Sequence, residues 1–311
     1  MDDYISAVTK AHRLHAENKI IETNLIHAEA PNGEYHIKTG GILGKNAYYG
    51  LKANGGFFGN KKNHGLPNIL GVIYLSDADT AYPLAIFESS LITKMRTAAA
   101  TAVAANYLKP PNPCHLGVIG YGNQAEAQIE ALMCVADIKS ICISGRNEIK
   151  AKAFAEMISN KAGVHASYKT IQNTCEQSNI LITCTPSKES FVKKQWIQPG
   201  TFIGAVGADS PGKNELDPEI MLSAKIVADI KEQVIKVGES QHAIRKGLIS
   251  ENNIYCELGE LITTQARGRT SDDETFVYDS TGTAIQDIAT AALIYEKLKD
   301  DESIQGINLF E

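Results

Sequence analysis

The chain has 311 residues, a formal net charge of −6 at pH 7 and 43% hydrophobic residues, enough for two domains, because a single core stops growing at about 250 to 300 residues. Its lysines and arginines are scattered, so the sequence carries no footprint for nucleic acid or an anionic membrane surface. The start, Met1-Asp2-Asp3-Tyr4-Ile5, has no basic or apolar targeting region, no apolar run approaches the roughly 18 residues that span a bilayer, and the 6 cysteines show no CxxC spacing; a soluble cytoplasmic protein with reduced cysteines is expected.

Asp3 to Asn18 places Tyr4, Ile5, Val8, Ala11 and Leu14 at helical spacing, so the chain opens with an amphipathic helix. From Ile20 to Phe87 short β-type runs, among them Tyr35-His36-Ile37, Tyr48 to Leu51 and Gly71 to Leu75, are split by Gly, Asn and Pro turns, which predicts an antiparallel α+β first domain. Thr97 to Leu108 reads as a small-residue helix with Arg96 just ahead of it, ended by the Lys109 to Pro113 run, and a domain boundary falls there. Beyond it, six strands alternate with helices: Leu116–Ile119, Ser140–Ser144, Val164–Ser167, Ile180–Thr185, Phe202–Val206 and Ile226–Ile230. That alternation predicts an α/β fold with a parallel sheet and right-handed crossovers. With six strands the sheet is complete, and the last helix, Gly282 to Leu298, is free to return to the first domain.

The stretch His115 to Leu132 joins an apolar strand, a glycine turn and a helix. Gly120 and Gly122 give backbone freedom and close approach, Ala125 allows tight helix–strand packing, and the helix start offers N–H groups to a pyrophosphate. Alone, such a fingerprint is weak, since many matches are ordinary turns. The second strand ends in Ser144-Gly145-Arg146-Asn147 without the carboxylate that binds the ribose of NAD, and Arg146 could grip a 2′-phosphate, so NADP(H) is favoured over NAD(H). A solvated loop arginine is the plainer reading of Arg146. The ends of later strands, at Thr185 and at Val206-Gly207-Ala208-Asp209, should face the nicotinamide, and Asp209 is placed to take a proton there. Taken alone, Asp209 is more often a turn or capping residue.

Lys38 and Lys52 sit inside β-type segments, where a lysine is costly unless it is paired or lines a cleft; snorkelling at a strand edge is the alternative. Arg96 could hold a phosphate or carboxylate bidentately. His36 and His64 are possible polar contacts, but no residues cluster at metal-ligand spacing, and no metal is expected.

Together these segments resemble the ornithine cyclodeaminase and mu-crystallin family. The resemblance rests on Tyr35-His-Ile-Lys38, Leu51-Lys52-Ala-Asn54, Asn63-His-Gly-Leu-Pro67, Leu91 to Ala100, Val118-Ile-Gly120-Tyr121-Gly122-Asn123-Gln124, Gly207 to Leu216 and Asp279 to Asp287, in the family's order over most of the chain. It implies a Rossmann-type NAD(P) domain, residues 97–282, inserted into a split α+β domain, residues 1–96 plus 283–311, that binds substrate and forms a homodimer. It further implies that Lys52 holds the substrate carboxylate or acts as acid and base, and that Asp209 accepts a proton or orients water. Arg96 and Thr97 would meet cofactor phosphates or the carboxylate, with Lys213 and Ser280 beside the cofactor. Where members that cyclise ornithine carry a Glu for the distal amine, this chain aligns His36, and Lys38 replaces an absent upstream Arg in carboxylate binding; an imidazole is a poor partner for an ammonium group.

The leading expectation is an NAD(P)-dependent oxidoreductase that moves a hydride at the α-carbon of a small amino acid or cyclic imino acid. Such an enzyme would be an amino-acid dehydrogenase or a pyrroline or piperideine carboxylate (ketimine) reductase. Two alternatives stand beside it: an ornithine cyclodeaminase that releases ammonia with catalytic NAD, and a non-catalytic binder of the mu-crystallin kind. Retention of Lys52 and Asp209 speaks against the last.

Overall fold

The computed structural model describes residues 1–111 and 113–307; Asn112 of the proline-rich run and the end of the expected C-terminal segment, 308–311, lie outside the described residues. In chain order the first half runs α1 (Asp2–Ala16), β1 (Ile20–Ala30), β2 (Gly33–Leu43), β3 (Ala47–Gly56), α2 (Asn60–Asn63), β4 (Ile69–Asp77), β5 (Pro83–Glu88), α3 (Ser89–Leu108), β6 (Cys114–Ile119), α4 (Asn123–Met133), β7 (Ile138–Ser144) and α5 (Glu148–Ala162). It continues with β8 (Ala166–Tyr168), α6 (Ile171–Glu176), β9 (Ile180–Thr183), β10 (Phe202–Ala205), α7 (Pro218–Ser223), β11 (Lys225–Ala228), α8 (Lys231–Val237), α9 (Ser240–Arg245), β12 (Ile254–Glu257), α10 (Leu258–Ile262), β13 (Phe276–Asp279) and α11 (Ala284–Leu298). The chain divides into two compact units, Met1–Glu17 with Lys94–Thr283, and Asn18–Thr93 with Ala284–Glu311.

The unit holding Asn18–Thr93 is an antiparallel meander, β1-β2-β3-β4-β5, with α11 laid on one face. Glycine makes that approach possible. A Cβ at Gly50 would stand 2.5 Å from Ile288 Cδ1, and one at Gly40 3.2 Å from Ala284 Cβ. The sheet gives Ile73 and Leu75 to the resulting core, and α11 gives Ile285 and Ile288, all fully buried; burial of such a side chain contributes roughly 1.5–3 kcal/mol.

The other unit is a doubly wound sheet in the order β12-β11-β13-β10-β9-β6-β7-β8, every pairing parallel. Its central strands β6, β9 and β10 are buried almost end to end, as strands covered on both faces must be. The order reverses between β6 and β9, so the crevice for a ligand opens beyond their carboxyl ends. All six expected strands are present, but the sheet has eight: β12 extends one edge and β13 inserts between β10 and β11. The expectation that six strands complete it is therefore corrected.

Two further boundaries differ from expectation. The helix expected from Thr97 begins at Ser89, because the Glu88 carboxylate accepts the N–H groups of Ser90 and Leu91 at 2.8 and 3.4 Å. This places Arg96 inside α3 rather than ahead of it. The opening helix, expected with the substrate domain, groups with the parallel sheet, where Val8 joins the main core and α1 packs on α10. Gly259 permits that approach, since a Cβ there would lie 2.5 Å from the His12 carbonyl oxygen.

Arg269 ties this unit together at the far ends of the strands. Its guanidinium donates to the carbonyls of Leu108, Lys109, Gly200 and Glu274 at 2.6–3.0 Å. Arg269→Ala should lower the unfolding free energy by about 2–4 kcal/mol in urea denaturation, and Arg269→Lys should recover little, because an ammonium cannot reproduce the planar fork. A loss below about 0.5 kcal/mol would contradict this role.

Candidate active site

The turn after β6 has the geometry that its glycines permit. Gly120 adopts φ +124°, and a Cβ there would meet Cys184 Sγ at 2.8 Å and its carbonyl oxygen at 3.0 Å, so the ends of β6 and β9 meet through a residue without a side chain. Gly122 is the N-cap of α4, extended, with no side-chain cap and open space where a Cβ would point. Ala125 and Ala127 are fully buried; Ala125 joins the core of the sheet, and Ala127 packs with Ala98 and Ala102 of α3. The ring of Tyr121 lies over Gly145, where a Cβ would be 2.4 Å from Cε1, and its hydroxyl accepts the Asn147 N–H at 3.2 Å. Ser144, the last residue of β7, is buried; beyond it Arg146 is exposed and the Asn147 side chain caps α5. Among the described residues the Ser144 hydroxyl and Gln124 Oε1 are buried without a partner. An uncapped helix start, a bare glycine and unpartnered polar atoms beside it fit the pyrophosphate and ribose of a dinucleotide.

The loops beyond β9, β10, β11 and β13 are held by buried carboxylates that the sequence reading gave no role. Glu215 accepts the Thr185 N–H and hydroxyl, each at 2.7 Å, and the Gly207 N–H at 2.9 Å. Glu239 accepts from the N–H groups of Glu215 and Leu216 and from Asn214 Nδ2. Asp279 in turn accepts the N–H groups of Glu239 and Ser240 and the Ser240 hydroxyl. Asp229 holds the Thr281 and Gly282 N–H groups at 2.8 and 2.6 Å. Gly282, three residues past β13, has φ +72° and lies against the Arg96 guanidinium, which fills the space a side chain there would take. Burial pushes the Glu215 and Asp279 carboxyls up to about 7 each, and burial with neighbouring acids raises Glu239 well above the usual range. Asp209 sits half-exposed beyond β10 and pairs with the ammonium of Lys213.

In the other unit, Lys38 on β2 and Lys52 on β3 are direct cross-strand partners and leave the same face of the sheet. Both are nearly fully buried, at 6% and 3% exposure. Lys52 Nζ lies 2.7 Å from Asp287 Oδ2 on α11, itself fully buried, and 3.4 Å from Thr93 Oγ1. The register extends the polar row: His36 lies opposite Asn54 on β3 and opposite His27 on β1, and Glu34 follows two residues away on the same face. His27, Glu34 and His36 are not at metal-ligand spacing along the chain and meet only through the hairpin register. His64 lies exposed just beyond α2.

A profile of the ornithine cyclodeaminase/mu-crystallin family matches residues 1–302. The chain belongs to this family. It is 38% identical over 296 residues to the alanine dehydrogenase of Archaeoglobus fulgidus, covering 95% of this chain and 90% of the relative. Among solved structures, an archaeal alanine dehydrogenase dimer with bound NAD superposes with a TM-score of 0.94 at 36% identity, covering 100% of this chain and 95% of that one. Thermococcus litoralis Δ1-pyrroline-2-carboxylate reductase, solved with NADH and L-proline, gives 0.89 at 34% identity, with 96% and 93% covered.

The Glu215 clamp has a pH signature. A buried acid whose carboxyl is raised to about 7 binds its proton more tightly folded than unfolded, so its contribution to stability is complete below the unfolded value near 4.5 and is lost as pH rises to about 7. Urea denaturation of wild type and Glu215→Gln across this range should show the variant gaining relative stability by a few kcal/mol toward pH 7. Parallel pH profiles would exclude the clamp as the titrating group.

Proposed function

We propose that this chain is an NAD(P)-dependent oxidoreductase that transfers a hydride at the α-carbon of a small amino acid or of a cyclic imino acid. The observation that carries the reading is the buried, cross-strand lysine pair with Lys52 fixed by Asp287, in a chain whose relatives are an alanine dehydrogenase and a pyrroline carboxylate reductase. Two ammonium groups on one face of a sheet suit a carboxylate, which each can meet with a charge-assisted hydrogen bond. A bound nicotinamide dinucleotide supplies or accepts the hydride. In the oxidative direction the hydride leaves the α-carbon while the substrate nitrogen gives up a proton, and Asp209 is the group that takes it, its carboxylate oriented by Lys213. Lys38 and Lys52 orient the carboxylate so that the α-carbon presents one face. Arg96, Thr97 and the Gly120 to Gln124 turn hold the phosphates, and Thr185, Val206, Gly207 and Ser280 line the nicotinamide end.

For the second half of the cofactor, the exposed Arg146 and the absence of a carboxylate between Ser144 and Asn147 support NADP(H) over NAD(H). A homodimer is the proposed assembly, in keeping with the dimer of the archaeal relative, and the cytoplasm the proposed location. Among the described residues no helix is long and apolar enough to cross a membrane.

L-amino acids with both oxidised cofactors, and pyrroline and piperideine carboxylates with both reduced ones, should produce a net change in nicotinamide absorbance. Ammonia release without net change would instead assign a cyclodeaminase, and ligand binding without turnover a non-catalytic binder. With the best substrate, Asp209→Asn should lower kcat/KM by about 10²–10⁴-fold, whereas unchanged turnover would remove Asp209 from the chemistry. Arg146→Ala should weaken NADPH relative to NADH by about tenfold, on the order of 1.4 kcal/mol; an unaltered ratio would assign the arginine to solvent.

A further inference from the structure

The far end of the polar row in the antiparallel unit holds a second constellation. His27 and His36 face each other directly across β1 and β2, so both imidazoles stand on one side of the hairpin, and Glu34, two residues from His36, stands there too. The rings meet edge to face with centroids 4.8 Å apart. His36 Nε2 is 3.2 Å from one oxygen of Glu34 and His27 Nε2 is 3.9 Å from the other. One donor atom from each of the three side chains lies within 4.8 Å of the others.

We propose that His27, Glu34 and His36 form a binding site for a divalent transition-metal cation, with zinc the best fit. Zinc holds nitrogen and oxygen donors at about 2.0–2.2 Å in a tetrahedron, whose edges are then about 3.3–3.5 Å. His36 Nε2 stands 3.2 Å from one Glu34 oxygen, close to that edge, His27 Nε2 stands 3.9 Å from the other, and one donor from each of the three side chains lies within 4.8 Å of the rest. His27 is exposed and the other two are half-buried, so small side-chain rotations close the remaining gap without moving the strands. Two imidazoles with one carboxylate select zinc, cobalt or nickel over magnesium and calcium, which require oxygen donors. The rigid hairpin supplies preorganisation, because neighbouring strands fix the spacing of all three side chains. Three protein donors leave a fourth position open to water or an anion. The site lies wholly within one unit and does not depend on the reaction proposed above.

The full-length protein, freed of metal by chelator dialysis, is titrated with zinc by calorimetry, and with cobalt(II) as an optical probe of coordination geometry. The expected result is one zinc per chain, tetrahedral cobalt absorption, and no competition from excess magnesium. His27→Ala, His36→Ala and the near-isosteric Glu34→Gln should each weaken zinc by at least about tenfold, with circular dichroism and nicotinamide-dinucleotide binding unchanged. Cys134 is exposed and could take zinc by itself, so the decisive comparison is with the double variant His27→Ala/His36→Ala. Zinc binding undiminished in that variant, or no binding by the wild-type protein at micromolar zinc, overturns the proposal.

Discussion

At the carboxyl end of the parallel sheet, backbone N–H groups released by the turns find their acceptors in buried carboxylates. Glu215 joins the loops beyond β9 and β10, Glu239 holds the segment that carries Glu215, and Asp279, at the end of β13, holds the segment that carries Glu239. The three acids form a relay of fixed points rather than three separate contacts. Each satisfies donors that would otherwise be stranded away from water, at roughly 1–3 kcal/mol apiece. Because the relay begins on a strand and ends at Thr185 and Gly207, the rigidity of the sheet reaches the turns that surround the crevice.

The antiparallel unit meets a different demand, that of placing two ammonium groups side by side under cover. Glycines at 40 and 50 clear the sheet surface for α11, and the same helix brings Asp287 against Lys52. Packing and charge neutralisation therefore arrive on a single element. A helix held farther out by side chains at those two glycines would leave the lysine both wet and without its carboxylate.

Much of this architecture is written in the sequence, and what is not has physical reasons. The six apolar runs declare themselves as buried strands, and the glycine turn, Lys38 and Lys52 stand out because each breaks the local pattern around it. The insertion of β13 between β10 and β11 depends on pairing over long separations, to which local periodicity is blind. The start of α3 lies ahead of the small-residue run that marks it in the sequence, because its cap is the side chain of a strand residue, Glu88, just ahead of the two serines. Likewise Glu215, Glu239 and Asp279 look like ordinary loop and strand-end acids until the backbone groups around them are counted. The His27, Glu34 and His36 cluster becomes visible only when the hairpin register pairs residue 27 with residue 36.

The antiparallel unit is assembled from two stretches far apart in the chain, 18–93 and 284 onward, and this governs the order in which a ribosome can complete it. Its five strands emerge early, yet the helix that covers them is made last: Tyr48 on β3 and its partner Glu296 on α11 are 248 residues apart. Until α11 emerges, the sheet face with its lysines remains uncovered while the whole parallel-sheet unit is synthesised. A nascent chain of this design therefore carries an exposed β surface through most of translation, and a stop a few tens of residues early would yield a well-formed nucleotide-type unit beside an open sheet.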